Sequence, residues 1–201
     1  GYELSWLNTK GKPVVAVAEF RFPCTSPNLV ESKSFKLYLN SFNQQKFDTT
    51  QAVEATLIKD LSATAGSFAQ VKLFPVDNCP ALTLSSSPAV CIDELDIEII
   101  DYQYQPNLLV NAQEKSVNVE EHVVSHLLKS NCLITNQPDW ASIYIEYTGA
   151  KINHERLLKY IISFRQHNEF HEQCVERIFC DLQEHCQLES LTVFARYTRR
   201  G

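Results

Sequence analysis

The chain has 201 residues, of which 18 are Lys or Arg and 24 are Asp or Glu, so its formal net charge is −6. A composition of 44% hydrophobic and 21% charged residues is ordinary for a folded globular protein and too apolar for a disordered one. The acidic balance argues against a duplex nucleic-acid binder, and no apolar run approaches the ~20 residues of a membrane-spanning helix. We therefore expect neither direct nucleic-acid binding nor a membrane association.

The first half of the chain predicts strands on either side of a helical region. Alternating apolar residues predict strands over 2–7 and 14–22. Two helical patterns follow, and strand patterns return over 69–76 and 96–104. A Pro- and Ser-rich loop, 77–88, separates the last two strands.

The two helical patterns each combine a cap with an apolar face. Ser32 or Ser34 is the expected N-cap of the first helix, and Thr50 is that of the second. The apolar faces consist of residues at helical spacing: Phe35, Tyr38, Leu39 and Phe42, then Val53, Leu57, Ile58 and Leu61.

The same order of elements then starts again. Strand patterns over 117–128 and 141–147 precede two helices, and a final strand pattern covers 191–197. The faces of these helices are Leu157, Leu158, Ile161, Ile162 and Arg165, then Phe170, Cys174, Ile178 and Leu182.

Two copies of strand–strand–helix–helix–strand–strand are therefore predicted, with the second copy one strand short. Adjacent strands joined by short turns pair antiparallel, so we predict an α+β protein with antiparallel sheets backed by paired helices. A polar cluster near 105–114 sets the predicted halves at 1–108 and 109–201. The shortfall and the absence of an initiator Met predict a chain cut from a longer product at both ends.

The cysteines and glycines exclude several familiar sites. Seven Cys are present, an odd number without a C-x-x-C pair, which argues against a disulfide framework or a zinc ribbon and favours a reducing cytoplasm. None of the five Gly is spaced as G-x-G-x-x-G or as a phosphate loop followed by Lys. A Rossmann domain and a P-loop are therefore excluded.

A thiol and a carboxylate occur in one loop of the second half. Cys132 follows a predicted strand, and Asp139 comes after the next Pro, so a folded-back loop can bring them together. A thiolate is a nucleophile, and an ionised Asp beside a thiol would raise the pKa of that thiol. If the pair is functional, Asp139 is therefore better cast as a protonated acid that donates to the reaction. The alternative is a structural Cys and a turn Asp.

His167 and His171 lie one helical turn apart where the two C-terminal helices meet. They could share a metal with Glu172 or Cys174, although Asn168 stands where a zincin has Glu and a third ligand is not evident. Alternatively, a helix start presents His171 and Glu172 to a cleft, where a carboxylate can accept two N–H bonds from a guanine-like edge. A solvated helix end is the third interpretation.

Basic residues cluster at two places. Lys33 and Lys36 share a face at the start of the first helix, where they and the free N–H groups could hold phosphates; a solvated charged face is the alternative. The segment 196–201 contains three Arg and is either part of a ligand loop or a frayed tail.

Five ordered motifs span the chain: Glu-Ser-Lys-Ser-Phe-Lys-Leu-Tyr at 31–38, Ser-Asn-Cys-Leu-Ile at 130–134, Gln-Pro-Asp-Trp at 137–140, His-Asn-Glu-Phe-His-Glu-Gln-Cys at 167–174 and Arg-Tyr-Thr-Arg-Arg-Gly at 196–201. Together they resemble the NADPH-dependent 7-cyano-7-deazaguanine reductases, the nitrile reductases of queuosine biosynthesis. The signature helix lies in the first half and the Cys in the second, as in the two-module members of that family.

The resemblance implies two tandem tunnelling-fold modules, a homodimer, and reduction of a nitrile to the amine of 7-aminomethyl-7-deazaguanine. It implies that Cys132 attacks the nitrile carbon to form a covalent thioimide, that NADPH delivers two hydrides, and that Asp139 supplies protons. Carried over position by position, it assigns substrate binding to Val30, Glu31, Ser32, His171 and Glu172, and cofactor binding to Ser32, Lys33, Arg200 and Gly201. An Arg near the adenosine ribose would explain the preference for NADPH through its 2′-phosphate.

Two rival hypotheses stay open. The nearest enzyme rival is a pterin-type tunnelling-fold enzyme that uses zinc, which needs a third ligand near His167 and His171. The rival from another class is a non-catalytic duplicated scaffold that binds a purine-like ligand or a partner subunit. In that case Cys132 and Asp139 are incidental.

Overall fold

The computed structural model describes residues 1–79 and 88–198. The chain divides into two compact units, Gly1–Ser85 and Ser86–Gly201, and each is described by itself. The predicted boundary at 108/109 lies further along the chain than this division, and residues 88–108 belong to the second unit.

The first unit contains a three-stranded antiparallel sheet. Strands β1 (Tyr2–Leu7), β2 (Pro13–Arg21) and β3 (Gln70–Phe74) lie in the order β1-β2-β3. The alternation predicted over 2–7 is observed, because Leu4 and Trp6 occupy the buried face of β1.

Two helices, α1 (Ser32–Asn40) and α2 (Thr50–Ala65), cover this sheet. Their N-caps are Glu31 and Thr49, so the predictions of Ser32 or Ser34 and of Thr50 were wrong. An N-cap needs extended backbone outside the helix, whereas Ser32 and Thr50 are already the first helical residues. The apolar faces pack as predicted in a core that includes Leu4, Trp6, Phe35, Leu39, Phe42, Val53, Leu57, Leu61 and Val71.

The second unit repeats this order with longer strands. A hairpin of β5 (Gln113–Asn131) and β6 (Pro138–Ile152) is followed by α3 (His154–Ser163), α4 (His171–Cys186) and β7 (Ser190–Tyr197). Strand β7 pairs antiparallel with β6, as β3 does with β2. Its core includes Leu128, Ile143, Ile145, Leu157, Leu158, Ile161, Ile178 and Leu182. Among the helices described in either unit, none is long and apolar enough to cross a membrane.

The two units also repeat a pair of backbone hydrogen bonds at one end of each hairpin. In the first unit, Leu7 donates its N–H to the carbonyl of Gln45 (2.8 Å) and accepts from the N–H of Phe47 (2.9 Å). In the second, Asn131 donates to the carbonyl of His167 (2.8 Å) and accepts from the N–H of Glu169 (3.0 Å). Each first strand therefore ends against the segment that leads into the second helix of its unit.

Two predictions about strands were wrong. Residues 96–104 form no strand. The Asp101 carboxylate accepts a hydrogen bond from the backbone N–H of Gln103 (3.0 Å), and the chain turns there. A two-residue strand instead occurs earlier, β4 (Val90–Cys91), and it pairs parallel with β5 in an otherwise antiparallel sheet. Within the described residues, both units therefore share the order hairpin, helix pair, strand, and the second is not one strand shorter than the first.

Candidate active site

Cys132 and Asp139 lie at the end of the β5–β6 hairpin. Strand β5 ends one residue before Cys132, and β6 begins one residue before Asp139. The connecting loop is closed by hydrogen bonds from the N–H of Cys132 to the carbonyl of Gln137 (2.8 Å) and from the N–H of Asn136 to the carbonyl of Cys132 (2.9 Å). Asn136 has a φ of 54°, in the left-handed region that Asn tolerates better than most residues.

Both side chains lie near the end of the hairpin. Asp139 opens the buried row of β6 that continues at Ala141, and it lies opposite Ser130 of β5. Cys132 comes two positions after Ser130, just beyond the end of β5. Both residues are nearly enclosed, at 2% and 3% exposure.

The start of α4 brings His171 to the carboxylate of Asp139. His171 Nε2 lies 2.8 Å from Asp139 Oδ2, and the His171 side chain is 27% exposed. Tyr197, at the end of β7, stacks on the imidazole with 4.2 Å between ring centroids and 8° between ring planes. A partly exposed imidazole, oriented by Tyr197, therefore contacts a carboxylate that is shielded from water.

A second buried thiol, Cys174, lies beside Tyr197 and Ser130. Burial raises the pKa of Cys174 to about 11, although its interactions with Tyr197 and Ser130 act in the opposite direction. Burial also raises the pKa of Tyr197, and nearby Cys174 and Glu172 raise it further. A thiol that stays protonated is a poor nucleophile, so Cys174 is unsuited to that role at neutral pH.

His167 contacts a different acid. Its Nε2 lies 3.0 Å from Glu169 Oε2, and Arg177 donates to the same carboxylate from Nε (2.9 Å) and Nη2 (2.6 Å). Burial opposes ionisation of Glu169, but the hydrogen bonds from Arg177 and His167 prevail and hold its pKa below the usual range. Because His167 and His171 contact separate carboxylates, their geometry lends no support to a shared zinc ion.

Comparison with known proteins agrees with the resemblance. A family model described as "Nitrile reductase, 7-cyano-7-deazaguanine-reductase N-term" matches residues 1–73, and one described as "QueF-like protein" matches residues 138–201. An NADPH-dependent 7-cyano-7-deazaguanine reductase of Colwellia psychrerythraea is 69% identical, over 100% of this chain and 72% of that protein. One of the same name from Dechloromonas aromatica is 60% identical, over 100% of this chain and 70% of that protein.

The chain belongs to the 7-cyano-7-deazaguanine reductase family. The identification made from five motifs is confirmed, and both relatives are named as NADPH-dependent.

In this member of the reductase family, the thiol and the acid occur in one unit only. The register of the two hairpins pairs Leu7 with Pro13 and Asn131 with Pro138. The residues that follow Leu7 and Pro13 are Asn8 and Val14, where the second unit has Cys132 and Asp139. The two residues to which the family resemblance assigns this chemistry therefore both lie in the second unit.

Three of the five residues that the reductase resemblance assigns to substrate binding lie in the first unit: Val30, Glu31 and Ser32. Glu31 accepts the N–H of Lys33 (2.8 Å) on Oε1 and that of Ser34 (2.9 Å) on Oε2. Burial opposes ionisation here too, but these backbone bonds prevail and lower the pKa of Glu31. The two helix N–H groups expected to be free for phosphate are therefore occupied by Glu31.

A cavity of about 300 Å³ lies beside this helix start, with Val30 and Glu31 in its wall. Its polar lining includes Tyr38 and Asp60, which are joined by a hydrogen bond from the Tyr38 hydroxyl to Asp60 Oδ2 (2.8 Å). Ser32, which was expected to close the substrate pocket with Val30 and Glu31, is the first residue of α1.

Of the four residues expected to hold the cofactor, two are described. Ser32 and Lys33 form the first turn of α1, and Lys33 is exposed. Arg200 and Gly201 lie outside the described residues. Arg196, in the same basic segment, lies over the rings of Tyr144 and Phe194, at 5.0 and 5.5 Å from their centroids.

Sequence reasoning missed three contributors to this site: Tyr197, Ser130 and the contact of His171 with Asp139. A signal for burial of Asp139 was nevertheless present, since the alternation Asp-Trp-Ala-Ser-Ile-Tyr-Ile over 139–145 puts Asp139 on the face of Ala141 and Ile143.

Proposed function

We propose that this chain reduces the nitrile of 7-cyano-7-deazaguanine to the amine of 7-aminomethyl-7-deazaguanine, through a covalent thioimide on Cys132 and with NADPH as reductant. The observation that carries the proposal is the enclosure of both Cys132 and Asp139 at the end of the β5–β6 hairpin, with His171 Nε2 2.8 Å from Asp139 Oδ2. Family membership supports 7-cyano-7-deazaguanine as the substrate and queuosine biosynthesis as the pathway.

Cys132 acts first, as the nucleophile. Its thiolate attacks the nitrile carbon, a carbon–sulfur bond forms, and one π bond of the nitrile breaks. The nitrogen takes a proton, which Asp139 supplies as a general acid. The product of this step is a neutral thioimide, and no group has yet been oxidised or reduced.

NADPH, when bound, supplies a hydride to that carbon in each of two reductions. After the first, the carbon–sulfur bond breaks, the thiolate of Cys132 leaves, and an imine remains. In the second, the nitrogen takes another proton from Asp139. Two hydrides and two protons thus convert the nitrile to the amine, and Cys132 returns to its starting state.

Asp139 has to be protonated twice in each cycle, and His171 provides the route. Asp139 is almost wholly shielded from water, whereas His171 is 27% exposed and contacts its carboxylate. An imidazole can take up and release protons near neutral pH, so His171 can restore the proton that Asp139 has given away. Tyr197 holds the ring in the orientation that this transfer needs.

Carboxylates suit the deazaguanine because its guanine-like edge offers paired N–H donors. Glu172, in the first turn of α4, is proposed to accept two of these hydrogen bonds, with His171 beside it. Val30, Glu31 and Ser32 complete the proposed set of substrate residues. Glu31 can serve although it caps α1, because two carboxylate oxygens offer about four acceptor positions.

The donor groups at the start of α1 suit a phosphate-bearing cofactor. The hydroxyl of Ser32 and the exposed ammonium of Lys33 can donate to phosphate oxygens. We propose that both residues hold NADPH. Arg200 and Gly201 stay predictions of the same role.

Fold, assembly and location belong to the same proposal. The repeated order of hairpin, helix pair and strand supports two tandem tunnelling-fold modules, and we propose that the protein is a homodimer that does not bind nucleic acid directly. None of the seven Cys forms a disulfide bond, which supports a reducing compartment, the cytoplasm.

Turnover with defined stoichiometry tests the proposed function. NADPH oxidation and amine formation are followed together, and two NADPH per amine are expected. Cys132→Ala should abolish turnover, and Cys180→Ser, which removes an exposed thiol of α4, should leave turnover unchanged. The scaffold hypothesis predicts binding without NADPH oxidation in all three proteins, and unchanged turnover in Cys132→Ala would contradict the role of this thiol.

A further inference from the structure

Three metal-ligating side chains meet at another place in the second unit. One ligand atom each from Cys91, Asp93 and His126 lies within 4.8 Å of the other two. His126 precedes Cys132 by six positions in the sequence, which corresponds to roughly 20 Å at a strand rise of ~3.3 Å per residue. The group is therefore separate from the candidate active site.

The sheet itself builds this group. Strand β4 pairs parallel with β5, which puts Cys91 beside Val124 at the sheet edge. The register of β5 with β6 shifts between Ser125 and Leu128, so His126 lies on a β-bulge. A bulge redirects side chains that a regular ladder would hold in alternation. The bulge and the short parallel strand together bring the thiol and the imidazole to one place.

Asp93 ties the two strands together and still has an oxygen to offer. Its Oδ2 accepts the backbone N–H of His126 at 2.9 Å. Its Oδ1 is shielded from water and accepts no hydrogen bond from any group in the described part of the chain. A shielded carboxylate oxygen without a donor is unfavourable, and a bound cation would satisfy it.

His126 is held in a way that suits a ligand. Its Nδ1 lies 2.8 Å from the hydroxyl of Ser142, on the strand opposite the bulge. A hydrogen bond at one ring nitrogen orients the imidazole and leaves the other nitrogen, Nε2, to bind a metal.

We propose that Cys91, Asp93 and His126 bind a divalent transition-metal ion, with Zn²⁺ as the best match. A thiolate and an imidazole favour Zn²⁺ over Mg²⁺ or Ca²⁺, which prefer sets of oxygen ligands. Bonds of ~2.0–2.3 Å put tetrahedral ligands roughly 3.3–3.8 Å apart, so ligand atoms that lie within 4.8 Å of one another need at most a small contraction. Rotation of the exposed Cys91 side chain allows this, and water would complete the tetrahedron. The bound metal would link β4 to the bulge of β5.

Titration with Co²⁺ tests the site, because a Co²⁺–thiolate bond gives a charge-transfer absorption and tetrahedral Co²⁺ gives intense visible bands. The full chain, stripped of metal and kept reduced, should bind one Co²⁺ with both features, and Zn²⁺ should displace it. Cys91→Ser should abolish the charge-transfer band. Asp93→Asn and His126→Gln should each weaken Co²⁺ binding at least tenfold.

Matched variants exclude the other thiols and histidines. Cys180→Ser removes a different exposed thiol, His122→Gln removes another histidine of β5, and Cys132→Ala removes the thiol of the candidate active site. All three should keep the band and the affinity. A chain that binds no Co²⁺, or a band that persists in Cys91→Ser or disappears in Cys132→Ala, would overturn the proposal.

Discussion

His171 Nε2 lies 2.8 Å from Asp139 Oδ2, and the two groups differ in their access to water, with side-chain exposures of 27% and 3%. Asp139 is buried because it begins the inward row of β6, and His171 is available because it begins α4. An enclosed acid that gives up a proton needs a neighbour to return it. The contact therefore links the local structure of a strand and a helix to the proposed reaction, in which the same carboxyl donates twice.

His171→Gln should lower kcat for nitrile reduction by about 100-fold, at the lower end of the usual general acid–base contribution. Gln keeps a polar group near Asp139 but cannot carry a proton. The pH dependence of kcat should change as well, because the titrating imidazole is gone. His122→Gln is the control, and an unaltered pH profile in His171→Gln would refute a proton-transfer role.

Asp139→Asn should lower kcat by about 10²- to 10⁴-fold while the deazaguanine still binds. Asn has nearly the same shape but cannot act as an acid, so both protonations of the substrate nitrogen lose their donor. Measuring kcat and the ligand dissociation constant together checks this split. Equal loss of kcat and affinity would indicate that Asp139 mainly shapes the pocket.

Glu169→Gln should destabilise the protein by about 1–2 kcal/mol at pH 7. This is less than the ~1.5–3 kcal/mol typical of hydrogen bonds to charged groups, because Arg177 is 39% exposed and its charge is screened. The folded state lowers the pKa of Glu169 from its ordinary 4.5, with Arg177 and His167 prevailing over burial. Its contribution is therefore complete above pH ~4.5 and is lost as the pH falls through the folded-state pKa.

Urea unfolding of wild type and Glu169→Gln at several pH values measures this directly. The difference in stability should shrink as the pH falls below about 4.5. Glu176→Gln, an exposed position on α4 beside Arg177, is the control and should show no such trend. A difference that stays constant down to pH 3.5 would mean that the ion pairs of Glu169 do not stabilise the fold.

Gly66→Ala should cost about 1 kcal/mol more stability than Gly11→Ala. Both glycines have positive φ, 68° and 79°, and both substitutions strain the backbone. At Gly66 the new Cβ would also lie 2.6 Å from Pro27 Cγ, whereas at Gly11 it would meet nothing within 4 Å. Urea unfolding midpoints of the two variants separate the steric cost at Gly66 from the cost of a positive φ, which both variants share. Equal losses of stability in the two variants would contradict the crowding at Pro27.

The same pair of variants should differ in substrate affinity. Asn28 donates its N–H to the carbonyl of Ala65 (3.2 Å), so the end of α2 anchors the segment that leads to Val30 and Glu31. Displacing that anchor should raise KM for the deazaguanine several-fold in Gly66→Ala and leave it unchanged in Gly11→Ala. An unaltered KM in both would weigh against Val30 and Glu31 as substrate residues.

Hydrophobic periodicity predicted the elements in which the apolar residues of the pattern are also the buried residues. The strand around Leu4 and Trp6 and the helix around Leu157 and Ile161 were predictable because one face of each is apolar and buried. The failure at 96–104 has a local cause that alternation does not reveal, the turn at Asp101. Strand β4 has only two residues and depends on pairing with distant β5, which no local pattern encodes.

The candidate site also has a part that the sequence predicts and a part that it does not. Cys132 and Asp139 belong to one hairpin, so the length of the loop is enough to predict that both lie at its end. The contact of Asp139 with His171 and the stacking of Tyr197 depend on how α4 and β7 meet that hairpin. Those contacts come from packing between elements far apart in the sequence, and only the three-dimensional structure supplies them.

Intact-protein mass after mixing with 7-cyano-7-deazaguanine, in the absence of NADPH, tests the central claim most directly. The account predicts one covalently bound substrate per chain in wild type and in Cys180→Ser, and none in Cys132→Ala. Folded wild-type protein that binds the ligand without forming an adduct, or an adduct that persists in Cys132→Ala, would contradict Cys132 as the nucleophile.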